Sequence, residues 1–561
     1  MRISGWAGKV LYLVVSLVIL VFFLFNCKYT YDFPYLDDFD TPVNFLRRLI
    51  ENNGIQEKLK IFFEFHSDHR LFNLRVEVLI YYLLFGYINL HTITFINNLF
   101  ILFSFLIVVK FLNRGAFTPL IVLILALFLF SNSYFTAINW AHVSANYGPV
   151  VFFSIAGLLL FEKNGSISGL KLSLIFIFCS IALFSFGNGI ISFFSYILLL
   201  IYFKHYRKAL IFAVFTLLII GVFFIDYQRA TYLEEVHWGV EGLLAKMLGF
   251  IRLVGAFSFI NDDWTVIPTV TGTVILAVTL LLFYLSFFKK EEKKTNNVYL
   301  WAVYIFFLGT LLAIAHGRIN NFNELKEAFV DRYRFYSLFA LITFVSILFN
   351  TINFRTIRYI GFLMVFAALS FNIYSYLAVH KVAYNNYYKK LLVCTENNFI
   401  NFKRGVYYYQ GDDRTIVKSL AEVYEKKLLK FNNNVLQQVD LGSNDAGEVQ
   451  LDVKTDSVYR RYGKTVFYDR MLFVKLKDLR FKNHNLSGAY LALEHNEGKA
   501  YYYPFYQNSH IGRNFVKGGV GGYTDLNMIN IPNGLYKVKV LVYNGLKNYE
   551  VYSSNEVIRV L

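Results

Sequence analysis

Long apolar stretches recur through the first two thirds of the chain and stop near Val379. An α-helix needs roughly 20 apolar residues to cross the hydrocarbon core of a bilayer, and most of these stretches approach that length. The pattern predicts a polytopic α-helical membrane protein with eleven spans. The predicted spans are residues 10–27, 91–112, 117–135, 149–161, 172–186, 189–203, 209–225, 267–288, 298–315, 336–350 and 358–379.

Basic side chains orient the predicted spans, because lysine and arginine collect in cytoplasmic loops. The chain carries them after every second span, at Lys163 and Lys171, Lys204 to Lys208, Lys289 to Lys294, and Arg355 and Arg358. The N-terminus is then cytoplasmic, and residues 28–90 and the tail lie on the outer side. The apolar segment Val76–Ile88 is short for a span, and counting it would turn the basic loops outward. We therefore predict a juxtamembrane helix there that ends at Gly86.

The last third, residues 381–561, has a different pattern. A helix is predicted over Asp413–Lys430, and short alternating or apolar runs follow it, as is typical of β-strands. The runs are Val449–Val453, Arg470–Leu476, Ala489–Leu493, Tyr501–Tyr506 and Tyr536–Tyr543. The sequence thus predicts two domains: a membrane domain over residues 1–380, and a soluble, mainly β domain resembling an antiparallel sandwich.

Composition agrees with this picture and removes some classes of function. The 561 residues are 56% hydrophobic, with a formal net charge of +17. Because many of the basic residues sit in short loops where topology needs them, the charge does not indicate a nucleic-acid partner. The three cysteines are far apart in sequence, and their spacing indicates neither a zinc site nor a disulfide framework.

The first outward loop opens with a dense group of carboxylates. Asp40 stands beside Thr41-Pro42, a typical helix start, so we interpret Asp40 as a cap of an amphipathic helix that ends at Gly54. Asp37 and Asp38 lie upstream of that cap. Two adjacent carboxylates repel, which tends to raise one pKa. One of them could act as a general base or bind a cation.

The same loop continues into His66-Ser-Asp-His-Arg70. Arg70, with Arg75, could bind a phosphate group by paired hydrogen bonds. His66 and His69 could donate to a phosphate or carry protons. Two histidines and an aspartate could also bind a metal, although their spacing matches no standard motif.

Two further outward loops carry polar and aromatic residues. Asn139, Trp140 and His142 lie within residues 136–148, where they could anchor the chain at the interface or form a surface for a sugar ring. Arg318, Arg332 and Arg334 lie in a late loop, beside Tyr333. Arginines outside the membrane oppose the usual charge bias, and at the bilayer edge they suit an anionic lipid head group. The long loop Asp226–Asp263 is interpreted as solvated, with a surface helix over residues 240–258.

The layout over about residues 1–380 resembles the GT-C superfamily of integral membrane glycosyltransferases. In that family one span precedes a large outward loop with an acidic motif and two juxtamembrane helices. Asp37-Asp38-Phe39 is similar to the acidic pair of many members. His66-x-Asp-His-Arg70, running into an apolar helix that ends at Phe85-Gly86, and Gly317-Arg318 followed by Arg332-Tyr333, look like elements of bacterial members.

The resemblance implies a multi-pass protein of the bacterial inner membrane that takes a sugar from a polyprenyl-phosphate donor, such as an undecaprenyl phosphate. The acceptor would be a cell-surface glycan or a lipid-linked precursor, as in O-antigen or lipopolysaccharide modification. Asp37 would be the base of an inverting transfer, and an arginine would hold the lipid phosphate. Many relatives carry a second carboxylate in a later outward loop, and residues 136–148 have none. We therefore expect chemistry without a metal, with Mg²⁺ or Mn²⁺ as the open alternative.

Three other readings remain open on the sequence. An O-antigen polymerase or ligase is also polytopic and uses outward arginines. A transporter would place charges near mid-bilayer and break its helices, whereas the charges here stand at span ends. A membrane-anchored binding protein would have its function in the β domain, for which eleven spans are excessive.

Overall fold

The structure is a computed structural model of the chain. It describes residues 5–30, 32, 34, 36–112, 115–162, 164–227, 239–260, 264–288, 295–352, 354–377, 422–423, 426–429, 436, 439–462, 465–481, 487–506, 519–527, 531–544 and 548–560.

Sixteen α-helices are present in the described part of the first 377 residues. They are α1 (Gly5–Tyr29), α2 (Phe45–Glu51), α3 (Ile55–Phe63), α4 (Phe72–Phe85), α5 (Leu90–Lys110), α6 (Thr118–Leu129), α7 (Phe135–Asn139), α8 (Ala141–Ala156), α9 (Gly169–Ser185), α10 (Ile190–Tyr202), α11 (Tyr206–Phe223), α12 (Val240–Val254), α13 (Val266–Phe287), α14 (Thr295–Arg318), α15 (Asp331–Thr351) and α16 (Phe354–Leu377).

Eight helical segments of the described chain are long and apolar enough to cross a membrane. They are Trp6–Tyr29, Leu90–Lys110, Ala141–Leu160, Tyr206–Phe223, Val266–Phe287, Asn296–Arg318, Asp331–Thr351 and Tyr359–Leu377. Three shorter apolar helices, α6, α9 and α10, lie where three more spans were predicted. The protein is thus mostly helical, with the spanning helices expected of a multi-pass membrane protein and a C-terminal β region.

The chain divides into two compact units. The first contains Met1–Lys28, Asn52–Glu77 and Thr92–Tyr376, and the second contains Tyr29–Glu51, Val78–His91 and Leu377–Leu561. The tail therefore begins a segment of its own close to the predicted boundary at residue 380. Two pieces of the predicted outward loop, however, group with the tail rather than with the helical bundle.

The outward loop differs from the prediction at its first helix. Thr41 is extended, with φ −142° and ψ 107°, and Pro42 lies in an irregular turn, so regular helix begins only at Phe45. The buried side chains of α2 are Phe45, Leu46 and Leu49, which form its apolar face. The predicted capping role of Asp40 lies outside the described side chains. The second predicted helix is present as α4 and ends at Gly86, whose φ of +75° suits glycine.

Residues 136–148 are almost entirely helical, so the prediction that this segment is a loop is wrong. The short helix α7 is followed directly by α8, whose first two turns contain His142, Asn146 and Tyr147, all buried. Polar residues can occupy a buried helix when their groups find partners inside the bundle. Nδ2 of Asn146, for example, donates to the His142 carbonyl at 2.6 Å, whereas its Oδ1 accepts no hydrogen bond among the described residues. The low hydropathy of this segment comes from polar side chains buried inside the protein. A buried polar helix and a loop have similar hydropathy, so the sequence did not separate them.

The described part of the tail contains eight strands in two sheets. They are β1 (Asp445–Glu448), β2 (Leu451–Tyr462), β3 (Thr465–Phe481), β4 (Gly488–His495), β5 (Ala500–Pro504), β6 (Gly519–Asn527), β7 (Gly534–Tyr543) and β8 (Tyr549–Val560). The strand orders are β1-β8-β7-β4-β5 and β2-β3-β6. All described pairings are antiparallel except β1 with β8, which is parallel and departs from the all-antiparallel prediction.

One hydrophobic core contains residues from both sheets, including Val474 of β3, Leu526 of β6, Leu491 of β4 and Val540 of β7. Val474 alternates along β3 with the exposed Phe473 and Lys475, whereas Leu491 in β4 has buried neighbours on both sides, so β4 is buried on both faces. Of the predicted helix Asp413–Lys430, only Glu422 and Val423 are described as helical.

Candidate functional site

His66 and His69 close a tight turn in the first unit. The His66 N–H donates to the His69 carbonyl at 2.7 Å, and the His69 N–H donates back to the His66 carbonyl at 3.2 Å. Ser67 takes a left-handed φ of 57° between them. The turn thereby fixes the backbone from which both imidazoles project. The pKa of His66 lies well below its ordinary value, because of burial and repulsion by His142, Arg75 and His69.

Arg70 and Arg75 hold this turn in place through backbone carbonyls. The Arg70 guanidinium donates to the Phe223 carbonyl from Nε at 2.9 Å and from Nη2 at 2.8 Å, and further groups donate to Phe63 and Ile225. Nη1 of Arg75 donates to the carbonyls of Phe62 and Glu64 at 2.9 and 2.7 Å. The guanidinium donors of Arg70 are thus occupied mainly by backbone carbonyls, which leaves few of them to bind the predicted phosphate.

His69 faces a break between two apolar helices. Helix α9 ends at Ser185, Phe186 is extended, and Gly187–Gly189 form a single tight turn before α10. The Gly187 N–H donates to Nδ1 of His69 at 3.2 Å, and the imidazole lies 3.7 Å from the Phe186 ring, centroid to centroid. Burial, with Arg318 and His142 adding repulsion, lowers the pKa of His69 to about 3, so the imidazole is neutral at pH 7.

Arg318 and Arg332 both act electrostatically on Tyr147. Tyr333 and Asp331 act on the same phenol. Tyr333 hydrogen-bonds Arg332, whose guanidinium carbon lies 5.3 Å from the Tyr333 ring centroid. Among the described residues, Arg318 makes no hydrogen bond or ion pair. This half-buried cation therefore has unused donors beside His69.

Arg334 is directed elsewhere. Nη2 donates to the Phe329 carbonyl at 3.1 Å, and the guanidinium lies 4.7 Å from the centroid of the Phe259 ring. Phe259 and Phe329 are stacked at 4.4 Å. Arg334 thus packs on this aromatic pair, and the three arginines that the sequence grouped together have different environments.

The residues predicted to contact a sugar also differ from one another in their environments. Asn139 Nδ2 donates to Asn26 Oδ1 at 2.8 Å and so links α7 to α1. His142 instead lies between two rings, 5.2 Å from His66 and 5.8 Å from Trp140 by centroids. His66 and His142 could together contribute imidazole nitrogens to a metal.

Asp37 and Asp38 belong to the second unit, in the single turn Leu36–Asp38. Asp38 is 1% exposed, whereas Asp37 is half-buried. A base must be reachable by the hydroxyl from which it takes a proton, so exposure favours Asp37 over its neighbour.

A buried polar network beside the histidines was not predicted. Glu77 of α4 accepts from Asn73 Nδ2 at 2.6 Å and from Asn97 Nδ2 of α5 at 2.6 Å. Asn73 also donates to the Ala145 carbonyl of α8 at 3.3 Å. The network thus joins three helices one turn from His142 and Tyr147. A lone carboxylate inside the apolar run Val76–Ile88 was the available signal.

We expect Glu77→Gln to change how stability depends on pH. Burial raises the pKa of Glu77 from its ordinary value of 4.5 to about 8. Between these values the folded protein keeps a proton that the unfolded chain has lost, so stability falls as pH rises from about 4.5 to 8. Melting temperature in detergent should fall over this range in the wild type, and fall less in Glu77→Gln. The exposed Glu241→Gln serves as control, and parallel curves for wild type and Glu77→Gln would contradict the assignment.

The site in the first unit combines two cations, Arg318 and Arg332, with the carboxylate of Asp331 and the neutral imidazole of His69. Asp331 already accepts from the Thr136 N–H at 3.0 Å and from its hydroxyl at 2.7 Å. The donors that remain suit an anion such as a phosphate group. Comparison of the chain with protein-family models, with curated proteins and with solved structures finds no match.

Proposed function

We propose that the protein is a membrane glycosyltransferase that moves a sugar from a polyprenyl-phosphate donor to a glycan or lipid-linked acceptor. The observation that carries this proposal is the half-buried Arg318, which faces His69 and Tyr147 with donors unused among the described residues. A guanidinium with donors available to a ligand binds a phosphate group by paired, charge-assisted hydrogen bonds. A lipid would bring that phosphate group to a site carried by apolar helices.

The proposal includes the finer features of the fold. We take α6, α9 and α10 as membrane-crossing although each has fewer than 18 residues, which makes eleven spans with the N-terminus cytoplasmic. Their place between basic loops supports this count. The shared core of the two sheets supports a β-sandwich on the outer side. The location would be a bacterial inner membrane.

The proposed reaction is a single displacement. The acceptor oxygen attacks the anomeric carbon and forms the new glycosidic bond, while the bond from that carbon to the phosphate oxygen breaks. Polyprenyl phosphate leaves with the electron pair, and the acceptor proton passes to Asp37. Configuration at the anomeric carbon inverts. Arg318 and Arg332 offset the charge that grows on the leaving oxygen, and Arg70 and Arg334 keep their contacts with the chain.

Asp37→Ala tests the role of the base. We expect transfer from a polyprenyl-phosphate sugar to fall by about 10²- to 10⁴-fold, as for loss of a general base. Transfer is measured with purified protein in detergent, and the anomeric configuration of the product is read by NMR. The exposed Glu241→Ala should transfer sugar at the wild-type rate.

The outcomes separate the role of the base from the function. Wild-type activity in Asp37→Ala would refute Asp37 as the base, and a retained configuration in the product would refute single displacement. A wild-type protein that consumes no polyprenyl-phosphate sugar would refute the glycosyltransferase itself. A product elongated by whole repeat units would favour a polymerase.

A further inference from the structure

The imidazole of His69 has its two nitrogens in different roles. Nδ1 accepts a hydrogen bond from the Gly187 backbone N–H at 3.2 Å. An amide N–H has no lone pair to offer, so Nδ1 must carry its own lone pair there. In a neutral imidazole the proton is then on Nε2. The backbone of the α9–α10 break thereby selects the tautomer of a histidine that is more than one hundred residues away in sequence.

We propose that Gly187 is a positioning residue that holds His69 as a neutral Nε2–H donor, and that this N–H donates to the anion bound by Arg318. The proposal deepens the function suggested above, since the anion there is the donor phosphate. It adds a neutral donor beside a cation, so the positive charge at this position comes from Arg318.

Three features fix the imidazole in this orientation. The paired backbone hydrogen bonds of the His66–His69 turn hold the residue, and the Phe186 ring packs on the imidazole at 3.7 Å. The third feature is the absence of a side chain at Gly187. A Cβ there would lie 3.3 Å from Nδ1, tighter than ordinary van der Waals contact, and 3.7 Å from Cε1. A side chain there would require the imidazole to shift by a few tenths of an ångström, which would lengthen its 3.2 Å hydrogen bond with the Gly187 N–H.

The surroundings of the ring favour an anionic partner. Arg318 from α14 and His142 from α8 both oppose protonation of His69, and His66 lies across the turn. Asp68 in the same turn accepts instead from the Tyr227 hydroxyl at 3.1 Å. The ring therefore stays neutral and can donate only through Nε2. Backbone and imidazole N–H groups that are positioned beforehand bind anions without the cost of reorganisation.

The first experiment measures binding of a methyl prenyl phosphodiester to the full-length protein in detergent. Glutamine places an amide near the Nε2 position and asparagine places one near Nδ1, so the two substitutions separate the nitrogens. We expect His69→Gln to bind within about threefold of wild type, and His69→Asn and His69→Phe to bind about tenfold more weakly, the usual size of one hydrogen bond to a charged group. Equal loss in His69→Gln and His69→Asn would overturn the proposal.

A second pair of variants tests the role of Gly187. Gly187→Ala should weaken binding by about the same tenfold, because it displaces the ring from its hydrogen bond. Gly221→Ala in α11 is the matched control, since a Cβ there has no neighbour within 4 Å. Equal affinities of the two variants would refute the positioning role of Gly187.

A spectroscopic readout does not depend on any ligand. The ¹⁵N shifts of labelled histidine, assigned to His69 by the signal missing in His69→Gln, should show a protonated Nε2 and a bare Nδ1 from pH 6 to 8. Gly187→Ala should alter that pattern. A protonated Nδ1 would refute the tautomer even in a protein that transfers sugar. Correct shifts in a protein without transfer activity would refute the glycosyltransferase and leave the His69 inference standing.

Discussion

Arg318→Ala should lower sugar transfer by about 10²- to 10³-fold, the usual loss when one preorganised donor to a developing negative charge is removed. Arg318 has unused donors among the described residues and lies beside neutral His69, so its charge is available to the leaving phosphate. Because the interaction strengthens as the charge develops, we expect the loss mainly in kcat rather than in KM. The measurement is steady-state transfer with the donor varied.

Two companion variants sharpen this expectation. Arg318→Lys keeps the charge but loses the planar pair of donors, so it should recover part of the activity. Lys326→Ala removes an exposed cation from the segment between α14 and α15 and should leave transfer unchanged. A loss below about threefold in Arg318→Ala would be far smaller than a donor to the leaving group supplies, and would assign the phosphate to another part of the protein.

Gly189→Ala is expected to lower the yield of folded protein and its melting temperature more than any other single substitution considered. A Cβ at this position would lie 2.3 Å from the Ala182 carbonyl carbon and 2.4 Å from the Leu183 nitrogen, both backbone atoms of α9. Backbone cannot rotate aside as a side chain can, so α9 and α10 would have to separate. Overpacking typically costs about 1–3 kcal/mol, and we expect this case to exceed that range.

The control for this substitution lies at the start of α9, the helix that a Cβ at Gly189 would meet. Gly169 begins α9, and a Cβ there meets no atom within 4 Å, so Gly169→Ala should melt at the wild-type temperature. The readout is the thermal transition in detergent together with the elution profile. Equal melting temperatures for the two variants would show that α9 and α10 separate easily, and would weaken the argument that their break positions His69.

Apolar runs located the helices well, because crossing a bilayer demands many consecutive apolar residues whatever their partners are. The short runs in the tail located β2, β3, β4, β5 and β7 for a similar reason, since an alternating run records burial of one face of a strand and an apolar run, as in β4, records burial of both. The number of spans does not follow from the apolar runs alone. Helix α10 has 13 residues and α6 has 12, and length alone does not separate a short span from a buried helix.

The roles of the individual arginines could not be predicted from the sequence. Arg70, Arg318, Arg332 and Arg334 were equivalent candidates for a phosphate, because each is an arginine at the edge of an apolar run. Their roles depend on atoms far away in sequence, such as the Phe223 carbonyl that Arg70 binds and the Phe329 carbonyl that Arg334 binds. Only tertiary contacts distinguish Arg70, whose guanidinium donates to three backbone carbonyls, from Arg318, which makes no hydrogen bond among the described residues.

By itself, the sequence determined the alternation of apolar and basic segments and the change to β structure in the tail. These features follow from local composition and spacing. The tertiary structure decided that residues 141–148 are buried helix, that Glu77 joins α4, α5 and α8, and that a glycine N–H meets His69. Each of these depends on which segments pack together, because burial and hydrogen-bond partners across a fold are not encoded in any local pattern.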